Sequence, residues 1–168
     1  MNWYENAIFY QALVGSFKDA GPSGGQGVGT LQGVIEKLDY LQWLGVDCLW
    51  LSPFYASPLK DDGYDIADYR GINPSYGTMR EFRRFVREAH DRGLRVITEL
   101  VINHTSDQHP WFQASRSSRD DPKRDWYIWR PARQVDGLAP GQPGTEPTNW
   151  GSAFSGSAWA WDEGTQEF

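Results

Sequence analysis

The stretch VDCLWLSP, residues 46–53, decides the fold class of this chain. Apart from Asp47 it is apolar as far as Leu51, and Pro53 closes it. An apolar run of this length without polar alternation is typical of a strand covered on both faces of a parallel sheet. Cys48 is the only cysteine of the chain, and its place inside the run predicts a buried core residue rather than a reactive thiol.

Two further apolar runs predict strands of the same kind. They are AIFYQALV, residues 7–14, and LRVITELVIN, residues 94–103. No G-x-G-x-x-G motif follows the first of these runs, which disfavours a dinucleotide-binding protein.

The segments between these strands predict helices. Apolar residues recur at helical spacing over residues 31–44, and Gly45 follows as the stop signal. Thr78 and Glu81 have the spacing of a capping box before a second helix, which Gly93 ends. Strands alternating with helices predict a parallel α/β fold, either an open doubly wound sheet or part of a (β/α)8 barrel.

The chain length bears on this choice. A complete barrel takes about 250 residues, whereas three βα units are visible within 168 residues. The chain is therefore either a truncated barrel or a small open sheet, and we expect the truncated barrel, with its three βα units in residues 1–104. Residues 105–168 are rich in Trp, Gly and Pro and predict the start of an inserted, loop-rich domain, with a helix near 111–118 and a hairpin near 158–168.

Composition excludes several partners. The net charge is −6 and there is no basic run, so no nucleic acid is expected. No apolar stretch approaches the roughly 20 residues of a membrane helix, and the amino terminus has no signal-peptide pattern. A cytoplasmic protein without a membrane partner is the simplest expectation. Most of the nine tryptophans are predicted to pack in the core.

Polar residues follow the second predicted strand in KDDGYDIADY, residues 60–69. Functional groups in parallel α/β folds gather beyond the carboxyl ends of the strands. Two readings remain open from the residues alone. The carboxylates of this cluster, together with Glu99 after the third strand, could supply a pair for glycoside chemistry. Alternatively, Asp61, Asp62 and Gly63 could simply form a turn, with Asp65 capping the residues after it.

A second polar cluster follows the third predicted strand in ELVINHTSDQHP, residues 99–110. His104 could be a buried histidine bonded to backbone, a metal ligand or a substrate contact. His104 and His109 lie five residues apart without H-E-x-x-H or a comparable zinc spacing. The residues alone therefore leave the role of His104 undecided.

Together these segments resemble the α-amylase superfamily, glycoside hydrolase family 13. Four segments in the same order carry the resemblance: AIFYQALVGSF, LDYLQWLGVDCLWLSPFYASP, DDGYDIADYRGINPSYGT and GLRVITELVINHTSDQHPWF. The resemblance implies the amino-terminal part of a (β/α)8 barrel, and residues 105–168 would begin the inserted domain B.

The resemblance also implies roles for individual residues. Asp61 and Tyr64 fall where these enzymes bind the glucose at the non-reducing end, and His104 falls at the histidine that contacts the same ring. Glu99 and Asn103 fall at positions that support the pocket. The nucleophile, the acid/base and the stabilising carboxylate follow later strands, so no catalytic residue is expected before Phe168.

Different parts of the chain resemble different branches of the family. Residues 1–118 resemble trehalose synthase, whereas the tail is similar to α-glucosidases. The main expectation is an α-glucosidase acting on small maltose-like oligosaccharides, inactive as a 168-residue piece. Trehalose synthase, which isomerises maltose and trehalose, is the alternative, and a non-catalytic amylase-fold scaffold is a third. Nothing in the sequence indicates an oligomeric state.

Two positions depart from the family pattern. Glu99 stands where the family usually has Asp, so its carboxylate is displaced by one methylene. The loop of residues 19–30 keeps only Asp19 of an acidic calcium loop, and a hard cation wants six to eight oxygen ligands. Calcium is therefore not expected at this loop, and no other metal or cofactor is expected.

Overall fold

The three predicted strands form one parallel sheet in the computed structural model, which describes residues 2–21 and 27–168. The strands are β1 (Phe9–Ala12), β2 (Cys48–Leu51) and β5 (Arg95–Thr98), in the order β1-β2-β5. Cys48 lies opposite Phe9 on one side and opposite Arg95 on the other. The sheet confirms the parallel α/β architecture predicted from the apolar runs.

The strands are shorter than the runs that predicted them. The prediction of a buried strand as far as Asn103 was wrong, since Leu100 and Ile102 are 67% and 79% exposed. The ladder stops because β2 stops: after Leu51 the chain reaches Pro53, which has no N–H to donate. The last bond of this ladder runs from the N–H of Glu99 to the carbonyl of Leu51, at 3.2 Å.

Within the part of the chain that the structure describes, five helices and two single 3₁₀ turns accompany the sheet. They are α1 (Val14–Phe17), α2 (Leu31–Ile35), α3 (Leu38–Trp43), α4 (Met79–Asp91) and α5 (Pro110–Ser117), with the 3₁₀ turns at Trp3–Glu5 and Arg124–Trp126. The single helix predicted over residues 31–44 is therefore divided into α2 and α3. The N–H of Lys37 bonds to the carbonyl of Val34 at 3.0 Å, three residues back, so the chain tightens there before the helix resumes.

The helix α4 starts and stops as its sequence predicts. The hydroxyl of Thr78 accepts from the N–H of Glu81, whose carboxylate accepts from the N–H of Thr78 at 2.7 Å. Both bonds of a capping box are thus present. Gly93 follows the helix at a φ of 75°, a conformation in which glycine is strain-free.

The core lies between the helices and one face of the sheet. Leu49 and Leu51 of β2 pack in one cluster with Leu31, Leu38 and Phe85 of the helices. Cys48 is fully buried, as predicted, and burial raises the pKa of its thiol. On the other face of the sheet, Phe9, Gln11 and Ile97 are exposed within the described part of the chain.

A short antiparallel hairpin, absent from the prediction, follows β2. Its strands are β3 (Tyr55–Ala56) and β4 (Asp68–Ile72), with Tyr55 opposite Ile72. β3 is too short to show an alternating pattern, which explains why the sequence did not indicate it. The hairpin encloses the acidic loop of residues 57–67 and fixes both of its ends.

The chain divides into two compact units, Met1–Ser106 and Asp107–Phe168. The second contains α5, which confirms the helix predicted near 111–118. A hairpin was predicted near 158–168, but this segment forms a turn closed by a single bridge between Asp162 and Glu167. The Asp162 carboxylate accepts from the N–H of Thr165 at 2.9 Å, and this favours a local turn over paired strands.

The second unit has a charged interior. Its tryptophans are partly exposed and are not core residues. Arg124 is only 8% exposed, lies 3.8 Å from the ring centre of Trp129 and pairs with Glu167. All six tryptophans after residue 110 keep part of their surface exposed, so their predicted core packing was wrong. They pack mainly against one another, as in the stacked pair Trp150 and Trp159, whose ring centres are 5.6 Å apart.

Within residues 2–21 and 27–168, no helix has both the length and the apolar character needed to cross a bilayer.

Candidate sugar-binding site

The two polar clusters lie beyond the carboxyl ends of neighbouring parallel strands. The acidic loop comes from the hairpin after β2, and residues 99–106 follow β5, which pairs with β2. Hydrogen bonds join the two segments, one of them from the Ser106 N–H to the carbonyl of Ile66 at 2.9 Å. Others involve His104 and Tyr69, so the fold brings the predicted clusters together.

Asp65 organises the acidic loop. Its carboxylate accepts from the Ser57 hydroxyl at 2.7 Å and from the N–H groups of Lys60 and Asp61 at 2.9 and 3.2 Å. The prediction that Asp65 caps the residues after it was therefore wrong in direction, because its partners precede it. The turn itself is present, and Asp61 is placed by it, with the Tyr64 N–H bonding to the Asp61 carbonyl at 2.8 Å.

The turn depends on one glycine. Gly63 has a φ of 103°, and a Cβ at this position would lie 2.6 Å from the carbonyl oxygen of Pro53. Both the backbone conformation and the close approach therefore require glycine. The neighbouring Asp62 is exposed and has a φ of 49°, in the left-handed region that Asp and Asn tolerate.

The Asp65 carboxyl group has a pKa below its usual value. Burial raises the pKa, but the hydrogen bonds from Ser57, Lys60 and Asp61 together lower it by more. A group with a depressed folded-state pKa stabilises the fold above its unfolded pKa, about 3.9 for Asp. This contribution is lost as the pH falls through the folded-state pKa.

We predict that the acidic loop carries this pH dependence. As the pH falls from about 5 to below about 4, the wild-type chain should lose stability relative to Asp65→Asn, whose amide does not titrate. Urea unfolding of both chains across this range measures the difference. A stability difference that stays constant with pH would show that Asp65 does not contribute in this way.

Glu99 is held by a neighbour that sequence reasoning missed. The indole N–H of Trp50 donates to the Glu99 carboxylate at 2.9 Å, and the Tyr55 hydroxyl donates to the Glu99 carbonyl at 2.9 Å. Trp50 lies on β2 and Glu99 directly follows β5 with the same side-chain parity, since Trp50 pairs with Ile97. The pairing register could have suggested this contact once the strand order was known.

Both ring nitrogens of His104 are engaged by the protein. The ring Nδ1 lies 3.2 Å from Nδ2 of Asn103, and Nε2 lies 3.1 Å from the carbonyl oxygen of Tyr64. An amide nitrogen only donates and a carbonyl oxygen only accepts, so Nδ1 accepts and Nε2 carries the hydrogen. In this arrangement the imidazole presents its Nε2–H to the carbonyl of Tyr64.

Tyr69 is a second residue that sequence reasoning missed. Its hydroxyl lies 2.8 Å from the carbonyl oxygen of Val101 and 3.0 Å from that of His104. It therefore joins the hairpin to the segment that carries Asn103 and His104. The roles predicted for Asp61, Tyr64, His104, Glu99 and Asn103 towards a sugar stay predictions.

The arrangement does not resemble a metal centre within the described residues. No group of three or more His, Cys, Asp or Glu side chains converges there. In the loop of residues 19–30, the two carboxylate oxygens of Asp19 accept from the N–H groups of Gly21 and Gly27, at 2.8 Å each. Residues 22–26 lie outside the described part, so the prediction of no calcium at this loop stays a prediction.

Parallel βα units whose polar loops meet at the carboxyl ends of the strands are typical of barrel-type α/β proteins, which carry their ligand sites at that edge. The chain belongs to the alpha-amylase family, because residues 11–168 match the family described as alpha amylase, catalytic domain. This confirms the family resemblance carried by the four sequence segments.

Individual relatives are similar over almost the whole chain. An oligo-1,6-glucosidase of Parageobacillus thermoglucosidasius is 51% identical over 99% of the chain and 27% of its own length. A trehalose synthase of Pimelobacter sp. (strain R48) is 54% identical over 88% of the chain and 26% of its own length. The crystal structure of the trehalulose synthase MutB from Pseudomonas mesoacidophila MX-45 superposes with a TM-score of 0.88 at 47% identity, covering 99% of this chain and 28% of MutB.

The chain thus spans about 28% of the length of these relatives. Their shared barrel fold agrees with the parallel sheet and its helices.

Proposed function

We propose that these residues form the glucose-binding part of the pocket of a retaining enzyme that acts on α-glucosidic bonds in maltose-like oligosaccharides. The observation that carries the proposal is the junction of the two strand-end segments, where the His104 imidazole bonds to the backbone of Tyr64. Relatives described as oligo-1,6-glucosidase and α-glucosidase, at 51% identity each, support the same substrate class.

Each residue has a physical role in this proposal. The Asp61 carboxylate accepts hydrogen bonds from sugar hydroxyls, and the Tyr64 ring packs against the apolar face of the sugar. The Nε2–H of His104 can be shared between the Tyr64 carbonyl and a sugar hydroxyl. Glu99 and Asn103 hold the segment and the imidazole in place through the bonds already described.

The proposal places the catalytic carboxylates outside residues 1–168. A retaining mechanism needs one carboxylate as nucleophile and another as acid and then base, about 5–5.5 Å apart. Two carboxylates of this site already have structural partners: Asp65 accepts three hydrogen bonds, and Glu99 accepts the indole N–H of Trp50. Neither is therefore assigned a role in bond cleavage.

Trehalose synthase is the second candidate, favoured by the 54% identity to the Pimelobacter enzyme. The two activities share a glucosyl-enzyme intermediate and differ in the acceptor, which is water in a glucosidase and the released glucose in an isomerase. MutB is described in complex with its substrate sucrose, so the family relatives include enzymes of other small sugars. A small carbohydrate is thus the proposed ligand in each case.

Product analysis tests the function. The complete gene product that contains these residues is incubated with maltose, and the sugars are separated by chromatography. Glucose alone identifies the glucosidase, whereas trehalose identifies the isomerase. No turnover of maltose, isomaltose or p-nitrophenyl α-glucoside would refute both and favour the non-catalytic scaffold. A cytoplasmic location is part of the proposal, and cell fractionation tests it.

We also propose that the loop of residues 19–30 binds no calcium. The Asp19 carboxylate already accepts two backbone N–H groups, which satisfy its oxygens without a cation. We therefore predict that EDTA followed by millimolar calcium leaves the melting temperature and the maltose turnover of the complete gene product unchanged. A calcium-dependent rise in melting temperature that is absent from Asp19→Asn would contradict the proposal.

A further inference from the structure

Two tyrosine hydroxyls continue the hydrogen bonding of β5 beyond the point where the strand ladder ends. The last ladder bond is the one from the Glu99 N–H to Leu51. From there on, the carbonyls of the segment are bound by phenols: Glu99 by Tyr55 at 2.9 Å, and Val101 by Tyr69 at 2.8 Å. The phenol O–H groups thus take the place of the backbone N–H groups that a longer β2 would have supplied.

Both tyrosines are held by the hairpin. Tyr55 belongs to β3 and Tyr69 to β4, and their ring centres are 6.4 Å apart. Tyr55 also stacks on the buried ring of Phe54 at 4.9 Å, and Phe54 stacks on Phe82 of α4 at 5.0 Å. The Tyr55 phenol is therefore supported by the hydrophobic core, and both hydroxyls reach out from a paired strand.

One of the hydrogen bonds of Tyr69 holds the main chain of His104. The Tyr69 hydroxyl binds the main-chain carbonyl of His104 at 3.0 Å, while Tyr64 and Asn103 bind the two nitrogens of its ring. The backbone and the ring of His104 are thus bound by different residues. Removal of the Tyr69 hydroxyl leaves the ring contacts as the remaining described bonds of His104.

We propose that Tyr69 is a positioning residue for substrate binding, which acts by fixing the main chain of His104, and that Tyr55 does the same for Glu99. The proposal rests on the proposed glucoside-processing function of the same pocket. It adds two residues that do not touch the sugar themselves: Tyr69 orients His104, a proposed sugar contact, and Tyr55 orients Glu99, which supports the pocket.

The test is the Tyr69→Phe variant of the complete gene product, which loses one oxygen and keeps the ring. The loss of a hydrogen bond of ordinary net strength predicts a rise in KM for p-nitrophenyl α-glucoside of about threefold to tenfold. We expect kcat to change by less than about twofold, because the hydroxyl does not touch the reacting atoms. The double variant Tyr55→Phe/Tyr69→Phe should raise KM further.

Two controls separate positioning from general stability. Tyr40→Phe removes the hydroxyl of an exposed tyrosine on α3 and should leave KM unchanged. Thr78→Ala removes the capping box of α4 and should lower the melting temperature without raising KM. Deuterium uptake of peptides covering residues 99–106 should rise in Tyr69→Phe and stay at the wild-type level in Thr78→Ala.

The outcomes are distinguishable. A wild-type protein that turns over no glucoside would overturn the proposed function and the positioning role with it. A wild-type protein that is active, together with an unchanged KM and unchanged uptake in Tyr69→Phe, would overturn the positioning role alone. An equal rise in KM in Thr78→Ala would show that any loss of stability has this effect, and would also overturn it.

Discussion

Asp61→Ala should lower kcat/KM of the complete gene product for α-glucosides by about 10²- to 10⁴-fold. A carboxylate that binds two sugar hydroxyls contributes about 1.5–3 kcal/mol for each charged hydrogen bond, and every 1.4 kcal/mol corresponds to about tenfold. The backbone of Asp61 donates to Asp65 and accepts from Tyr64. Since both bonds are independent of the side chain, the loop should keep its conformation in the variant.

The neighbouring carboxylate supplies a matched control. Asp62 is exposed on the same turn, and its φ of 49° is one that Asn also tolerates. Asp62→Asn removes the same charge one residue away and should keep activity within about twofold. Initial rates of p-nitrophenyl α-glucoside hydrolysis measure both variants. Equal losses in the two would mean that the charge of the loop, and not the Asp61 carboxylate, governs binding.

The 168-residue chain produced alone should have no detectable turnover of maltose or p-nitrophenyl α-glucoside. We propose that the nucleophile and the acid lie outside residues 1–168, since Asp65 and Glu99 already accept structural hydrogen bonds. The chain should also self-associate, because β1 and β5 are the outer strands of the described sheet and Phe9 and Ile97 are exposed beside them.

Size-exclusion chromatography and a rate assay test these two statements together. The complete gene product, purified in parallel, is the positive control, and the Asp61→Ala form of the short chain controls for contaminating host glucosidase. Turnover by the short chain that Asp61→Ala abolishes would place the catalytic machinery within these residues. A monodisperse monomer would contradict the expected exposure of strand edges.

Regular elements were predictable where a local sequence pattern, such as an apolar run or a capping box, indicates them. The run around Cys48 predicted the central strand because every residue from Cys48 to Leu51 is apolar, and Thr78 with Glu81 predicted the start of α4 through a local, spacing-dependent contact. The end of β5 was not predictable in the same way. Leu100 and Ile102 are as apolar as Val96, and only the end of the partner strand leaves them without a ladder.

The residues of the candidate site could be proposed from the sequence, whereas their hydrogen bonds could not. Asp61, Tyr64 and His104 stood out because they follow strands and because the segments around them resemble a family. The direction in which Asp65 caps and the contacts of Tyr69 depend on the hairpin, whereas the contact between Trp50 and Glu99 depends on the pairing of β2 with β5. The contacts of Tyr69 with Val101 and of Trp50 with Glu99 join residues more than thirty positions apart, which no local pattern encodes.

The most direct test of the account is to trap the glucosyl-enzyme intermediate. The complete gene product is treated with a fluorinated α-glucosyl fluoride that forms the covalent intermediate quickly and hydrolyses slowly, and the labelled peptide is located by mass spectrometry. We predict one labelled carboxylate, outside residues 1–168, and strongly reduced labelling in Asp61→Ala. A label on Asp61, Asp65 or Glu99, or no label on an active enzyme, would contradict the assignment of this chain as the sugar-binding part of a retaining α-glucosidic enzyme.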